Sequence, residues 1–167
     1  VGSIAGVAFF SVLSFAGSPP IIWGLIAGAI LLALLHDGDL KKFFLQFVAV
    51  ALLVVFLAVE SIGPNKAWSP YYALSWEDQP SGGVVMKIND VATWGQADIN
   101  DESPYGFIYD MYTEENPGEV LIIGAGSGND VAVALDRGAV SVDAVEIDPK
   151  LLEIAEKYHP NDPYGDP

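Results

Sequence analysis

The sequence predicts a mixed α/β protein in which apolar helices precede a small β unit and the first part of a doubly wound α/β domain. Residues 1–35 carry no charge, and residues 43–59 are again uncharged. Two strand-like runs separated by turn formers follow. The pattern EVLIIGAGSG, with VDAVEID after it, then describes a strand, a glycine turn, a helix start and a second strand. We therefore assign 1–60 to three transmembrane helices, 61–115 to a linker and small β domain, and 116–167 to the start of the doubly wound domain.

The N-terminal part is apolar enough to enter a bilayer. The predicted spans are 2–17, 21–35 and 43–60, separated by GSPP and HDGDLKK. Each is short against the roughly 20 residues of a usual span, so the helices must pack against one another. A signal peptide would have a basic leader and a single apolar core. Core helices of a soluble protein normally carry a polar face. Three membrane helices are therefore the preferred interpretation, with the lipid bilayer as a partner.

The segment after residue 61 predicts a β hairpin and a short helix. Residues 71–76 and 83–88 are strand-like and flank the turn-forming EDQPSG, whereas 91–101 is ambiguous. In 104–113, Tyr105, Tyr109 and Tyr112 are spaced four and three apart, which suits one face of a helix. We favour core packing over a ligand role for these aromatic side chains.

The glycine turn has the features of a ligand site at the carboxyl end of a parallel sheet. The run 120–123 predicts a buried strand, and Gly124, Gly126 and Gly128 follow it directly. Glycine permits positive φ and a close approach of the backbone to a ligand. Glu146 stands 22 residues after Gly124, near the roughly 20 that places an acid on ribose hydroxyls in nucleotide folds. This combination predicts a nucleoside site.

The elements around this turn follow from local signals. A helix is predicted over 128–137 with Gly138 as its C-cap, then a strand over 141–147. Asp148 before Pro149 predicts an N-cap and a helix over 149–158.

The spacing of the glycines discriminates between nucleoside ligands. A dinucleotide fingerprint has a small residue at the sixth position, where this chain has Asn129. GxGxG therefore favours an adenosyl ligand over NAD or FAD. The alternative is an ordinary glycine-rich turn that binds no ligand.

Charge and composition exclude several classes of function. The net charge is −15 and lies almost wholly after residue 61, which argues against nucleic acid as a partner. Acidity favours a cationic substrate or simply a well-solvated surface. There is no cysteine, and His36 and His159 are isolated, so we expect no metal site. Because the chain begins with Val inside an apolar run and ends after the second α/β unit, we also expect it to be a fragment.

Several stretches resemble one enzyme family. VLIIGAGSGND, VDAVEIDPKLLEIAEKYHP and NDPYGDP resemble the nucleotide-binding half of spermidine synthases and their membrane-anchored bacterial relatives. AWSPYY, VMKIND with Gln96, and FIYD resemble the preceding β unit of that family. The resemblance covers about 68–167.

The resemblance implies a Rossmann-like, methyltransferase-type domain and aminopropyl transfer from decarboxylated S-adenosylmethionine to a small amine. The co-substrate would contact Gly124, Ala125, Gly126, Ser127, Gly128, Glu146 and Ile147. Gln96, Tyr109 and Asp110 would bind the amine substrate. The catalytic base of the family would lie after Pro167.

Three positions depart from the family pattern. Ser127 replaces an acid of the glycine turn, Tyr72 replaces a glutamine, and Asp110 replaces a histidine. The leading function is therefore a membrane-anchored transferase using S-adenosylmethionine or its decarboxylated form. A methyltransferase and a non-catalytic, membrane-bound nucleoside-binding protein are the alternatives. The oligomeric state is open.

The expected location is the inner or plasma membrane with the soluble domain in the cytoplasm, where adenosyl ligands are made. Lys41 and Lys42 alone would favour the reverse orientation, because basic residues stay on the cytoplasmic side. Asp37 and Asp39 accompany the two lysines, and Lys66 follows the last span, so we give the ligand argument more weight.

Overall fold

The computed structural model describes residues 2–80, 82–96, 98–99, 104–111 and 116–165, without side chains at 92–94. The chain divides into two compact units, Val1–Pro70 and Tyr71–Pro167. Tyr112 and Thr113 of the predicted tyrosine helix lie outside the described residues. The three-part division made from the sequence stays a prediction.

The first unit contains three helices and a short strand: α1 (Gly2–Phe15), α2 (Pro20–Leu35), α3 (Leu40–Ser61) and β1 (Lys66–Trp68). Helix α3 begins three residues before the predicted span. The reason is a cap, since the Asp39 carboxylate accepts the backbone N–H groups of Lys41 and Lys42 at 2.9 and 3.4 Å. Both lysines therefore belong to the first turn of α3.

Large apolar side chains on these helices are exposed, and neither α1 nor α3 has a buried residue. Among the described residues, α3 alone is both long and apolar enough to cross a membrane, with 22 residues. Helices α1 and α2 are apolar but shorter, with 14 and 16 residues. The structure thus gives one candidate span where the sequence predicted three.

Helices α2 and α3 pack closely through two glycines. Gly24 and Gly28 are buried, and a Cβ added to either would lie 2.5 Å from a side-chain carbon of Leu57 or Val50, respectively. The backbone N–H of Ile21 also donates to the Ser61 hydroxyl at 2.9 Å. Small residues one turn apart allow two helix backbones to approach, as in membrane helix pairs.

Replacing Gly28 should disrupt this helix pair. We expect Gly28→Leu to destabilise the full chain by about 1–3 kcal/mol, because the side chain overlaps Val50. Thermal unfolding in detergent, followed by circular dichroism, measures the change. Gly6→Leu is the matched control, since a Cβ at Gly6 meets no atom within 4 Å. Equal melting temperatures for the two variants would contradict the packing argument.

The second unit begins with an antiparallel sheet whose strands are neighbours in chain order: β2 (Ala73–Asp78), β3 (Val84–Ile88) and β4 (Val91–Gly95). The predicted hairpin is confirmed, although its first strand begins at Ala73 rather than at residue 71. The ambiguous segment contains β4, paired to β3 with a bulge between Met86 and Lys87. Leu74, Val84 and Met86 are almost fully buried and form the core of this sheet.

Next come a 3₁₀ turn (Pro104–Gly106) and the short helix α4 (Phe107–Asp110), within the predicted helical range 104–113. A parallel unit follows, with β5 (Glu119–Ile123), α5 (Asn129–Asp136), β6 (Ser141–Val145) and α6 (Pro149–Tyr158). Strands β5 and β6 pair in parallel from Glu119 opposite Ser141 to Ile123 opposite Val145. Each helix buries apolar residues against the rest of the unit. The buried apolar residues are Val131, Ala132, Val133, Ala134, Leu151, Ile154 and Ala155.

The prediction that the first parallel strand is buried is wrong for the described residues. Leu121 and Ile123 are 63% and 81% exposed, whereas Val120 and Ile122 are half-buried. Successive strand side chains point to opposite faces, and no second layer covers the face of Leu121 among the residues described. The structure shows one strand–helix–strand unit, and the rest of a doubly wound domain stays a prediction.

Candidate functional site

A cavity of about 400 Å³ lies where β5 and β6 end. Its walls come from the glycine turn, from the starts of α5 and α6, and from the preceding β unit. The lining residues are Tyr72, Ile88, Tyr105, Gly124, Ala125, Gly126, Ser127, Asp130, Glu146, Ile147 and Leu151. The structure therefore brings together the predicted residues of the glycine turn from Gly124 to Ser127 with Glu146 and Ile147.

The glycine turn has the left-handed backbone that its sequence predicts. Gly124, Gly126 and Gly128 have φ values of 80°, 53° and 88°. The N–H groups of Gly124 and Ala125 both donate to the Val145 carbonyl, at 2.8 and 3.1 Å, which fixes the turn to the end of β6. Gly128 is the N-cap residue of α5 and does not line the cavity.

Glu146 connects the two loops that form the floor of the cavity. Its Oε2 accepts the N–H of Gly126 and its Oε1 accepts the N–H of Asp148, both at 2.9 Å. Strand β6 ends at Val145, so Glu146 and Ile147 stand in the following turn rather than at the predicted strand end. A carboxylate has about four acceptor positions, so each oxygen can still accept a ligand hydroxyl.

Asp130 is a second cavity acid, which the sequence reasoning missed. It lies in the first turn of α5, and burial raises its pKa above the ordinary aspartate value. Tyr109 also has a raised pKa, through burial first and then through the negative charge of Asp130. The signal in the sequence was an acid three residues after Ser127, at the start of the helix that the turn leads into.

The remaining predicted residues lie around the cavity rather than in its lining. Gln96 is 1% exposed and donates from Nε2 to the Ser127 carbonyl at 3.1 Å, so it supports the turn. Asp110 forms an ion pair with Arg137 at 2.6 Å, and its side chain is half exposed. Tyr109 is partly buried, and its charged neighbour is Asp130. None of these three reaches the cavity wall.

Asp148 and His159 occupy the two ends of α6. Asp148 accepts the N–H of Lys150 at 2.9 Å, which confirms the predicted N-cap. The helix ends at Tyr158, with His159 as its C-cap residue. In the parts of the chain that the structure describes, no group of three His, Asp or Glu residues is arranged to hold a metal ion.

Comparison with known proteins gives one partial similarity. No family model matches the chain. The chain is 34% identical over 95 residues to a polyamine aminopropyltransferase of Methanocaldococcus jannaschii. The match covers 49% of this chain and 32% of the relative, so the chain spans about a third of the relative's length. This partial identity supports a distant relationship to the spermidine synthase-like proteins.

Proposed function

We propose that this protein is a membrane-anchored transferase that binds S-adenosylmethionine or its decarboxylated form. Transfer of the aminopropyl group to an amine, as in spermidine synthases, is the reaction that we favour. The observation that carries the proposal is the cavity at the glycine turn, with the Glu146 carboxylate in its floor. The partial identity to an aminopropyltransferase supports the same conclusion. A complete Rossmann-like domain around this cavity is part of the proposal.

The charges of the cavity favour a cationic ligand. Asp130 and Glu146 line it, and its described lining contains no Lys, Arg or His. Opposite charges attract more strongly where solvent is partly excluded, so a sulfonium or ammonium group gains from both acids. A pyrophosphate would be repelled by the same two groups.

The backbone amides of the turn support the same choice of ligand. Helix and turn N–H groups bind phosphates only where they are free to donate to the ligand. Here the N–H groups of Gly124 and Ala125 donate to the Val145 carbonyl, and that of Gly126 donates to Glu146. Three successive amides are thus already engaged, which disfavours a dinucleotide.

The proposed reaction mainly requires that the amine and the carbon next to the sulfonium be held in the correct orientation. An unprotonated amine nitrogen attacks the carbon next to the sulfonium, a C–N bond forms, the C–S bond breaks, and its electron pair neutralises the sulfur. The new ammonium then loses a proton to a base or to water. The residues of this chain would hold the adenosyl group at Glu146 and the positive charge near Asp130, which lowers the entropy cost of the in-line approach.

Calorimetric titration of the full chain tests the binding step. We expect S-adenosylmethionine, its decarboxylated form or methylthioadenosine to bind and to compete with one another. Absence of heat and of competition for all three would refute the proposal. Product analysis by mass spectrometry then separates an aminopropylated amine from a methylated acceptor.

Two other functions rest on specific residues. Ser127 stands where the spermidine synthases that this sequence resembles have an acid. This difference favours methyl transfer from S-adenosylmethionine itself. The residues Tyr72 and Asp110 replace substrate-side positions of that family, which favours a membrane-bound nucleoside-binding protein without catalysis. Binding with no product from a panel of amines would select this last function.

Asp130 should discriminate between charged and neutral ligands. We expect Asp130→Asn to weaken S-adenosylmethionine binding roughly tenfold, the size of one charge-assisted contact. Binding of S-adenosylhomocysteine, whose sulfur is neutral, should change less, and calorimetry gives both constants. Asp136→Asn, an exposed change of equal charge on the same helix, is the control. Equal losses for the two ligands would show that Asp130 does not bind the sulfonium.

The membrane part of the proposal is carried by α3, the candidate span. We propose that the chain is an inner or plasma membrane protein whose second unit faces the cytoplasm, because adenosyl ligands are available there. Protease protection in intact cells tests the orientation. Digestion of the part after Ser61 in unpermeabilised cells would place it outside and overturn this assignment.

A further inference from the structure

His159 lies in a buried hydrogen-bond chain next to the proposed nucleoside site. It is 6% exposed, its Nδ1 lies 3.2 Å from the backbone N–H of Asn161, and its Nε2 lies 3.0 Å from Oδ1 of Asn129. A backbone N–H can only donate, so Nδ1 must be an unprotonated acceptor. Nε2 then carries the hydrogen and donates to Asn129. The surroundings therefore select neutral histidine in the Nε2–H form.

The series of hydrogen bonds continues from Asn129 to the β unit. Asn129 is 4% exposed and donates from Nδ2 to the Gly95 carbonyl at 2.9 Å, at the end of β4. It is also the first residue of α5, directly after Gly128. Next to it, Gln96 donates to the Ser127 carbonyl. The end of α6, the start of α5 and the end of β4 are thus joined at the residues that follow the glycine turn.

We propose that His159 is a positioning residue of the nucleoside site, which holds Asn129, and with it the glycine turn, in the conformation that binds ligand. The inference rests on the proposed function for its ligand. The hydrogen bonds themselves do not depend on that function, because they form without a ligand. His159 does not line the cavity, so it would act on the site through Asn129 and through its ring, which lies beside Gly128.

The arrangement makes the site sensitive to acid. Protonation places a hydrogen on Nδ1, where it faces the N–H of Asn161, and two donors then oppose each other. Burial lowers the pKa of His159, while the charges of Asp98 and Asp162 act to raise it. Tyr164, whose ring also packs at Gly128, has a raised pKa and stays neutral. Asn129, on α5, contributes no charge.

The sign of the pH effect follows from the lowered pKa of His159. A neutral histidine in the folded state contributes its stabilisation fully above about pH 6.5, the ordinary value. That contribution declines as the pH falls below 6.5 and is lost as the pH falls through the folded-state pKa. The ligand would bind better when His159 is neutral, so bound ligand should lower the pKa of His159 further. Ligand affinity should then fall in the same acidic range, by about tenfold for each pH unit of that additional lowering.

The experiment uses the full chain and exploits its two histidines. In His36→Gln, the ¹⁵N NMR spectrum reports the tautomer of His159 alone. In this variant we expect His159 to be in the Nε2–H form at neutral pH. Its S-adenosylmethionine binding should depend on pH as that of the wild type does. His159→Gln, whose amide can replace the Nε2–H donor, should retain affinity within about threefold and lose the acidic decline. His159→Ala should lose roughly tenfold in affinity at neutral pH.

The outcomes separate this inference from the proposed function. An Nδ1–H tautomer, or His159→Ala with the affinity and pH profile of the wild type, would overturn the positioning role. If the wild type binds no adenosyl ligand at any pH, the proposed function fails. In that case amide exchange at Gly126, Ser127 and Gly128 still decides the inference: exchange must be faster in His159→Ala than in His159→Gln, and equal rates reject it.

Discussion

Glu146→Gln is expected to weaken S-adenosylmethionine binding by about tenfold to a hundredfold. The carboxylate accepts the N–H groups of Gly126 and Asp148, and in the proposed function it also accepts the ribose hydroxyls. An amide has a single acceptor oxygen, so its NH₂ group must face one of the two backbone donors. Charge-assisted hydrogen bonds contribute about 1.5–3 kcal/mol each, which corresponds to the stated range.

Calorimetry on the full chain measures this loss. Glu119→Gln is the matched control, because it removes the same charge from an exposed residue. Glu119 is the first residue of β5, at the end of the strand that lies away from the glycine turn. We expect Glu119→Gln to bind as the wild type does. If Glu146→Gln also binds as the wild type does, Glu146 has no role in the ligand site.

Gly128→Val should destabilise the chain by about 2–4 kcal/mol and remove ligand binding. The φ angle of 88° costs a β-branched residue about 1–3 kcal/mol. A Cβ would also lie 3.1 Å from Cε2 of Tyr164 and 3.4 Å from Cγ of Pro163, so packing strain adds to the cost. Gly128 is the last glycine of the turn, so the rest of the turn would move with it.

Gly118→Val separates the two contributions. Gly118 has a φ of 68°, but a Cβ there meets no atom within 4 Å, so only backbone strain applies. Thermal unfolding in detergent should therefore show a larger loss at Gly128 than at Gly118. Adding Tyr164→Ala to Gly128→Val should recover part of the difference. No recovery would mean that Tyr164 does not restrict this position.

Local signals in the sequence predicted the turn and the last helix well. Glycines with positive φ, Asp148 as an N-cap and Pro149 at the first helical position are each specified by neighbouring residues. The strand end was placed two residues too late, because strand-like residues continue to Ile147 while the pairing with β5 stops at Val145. Pairing depends on a partner strand that no local pattern shows.

Contacts between distant residues explain what the sequence could not predict. In the sequence, His159 is an isolated histidine just after the predicted last helix, yet its ring contacts Asn129, 30 residues earlier in the chain. Asp110 was a candidate for substrate binding but pairs with Arg137, 27 residues later. Burial raises the pKa of Asp130, and the charge of Asp130 in turn raises the pKa of Tyr109. Burial and partner identity arise only when separate elements pack together.

In the proposed function, the two cavity acids differ in how freely a substitution can change the ligand preference of the site. Glu146 accepts two backbone amides, so any substitution there alters the shape of the turn together with its chemistry. Asp130 stands in the first turn of α5, and the N–H groups of Gly126 and Asp148 are accepted by Glu146 instead. In the proposed function, a change from a cationic to a neutral ligand would therefore be accessible by single substitutions at Asp130, whereas Glu146 could change only together with the loops that it joins.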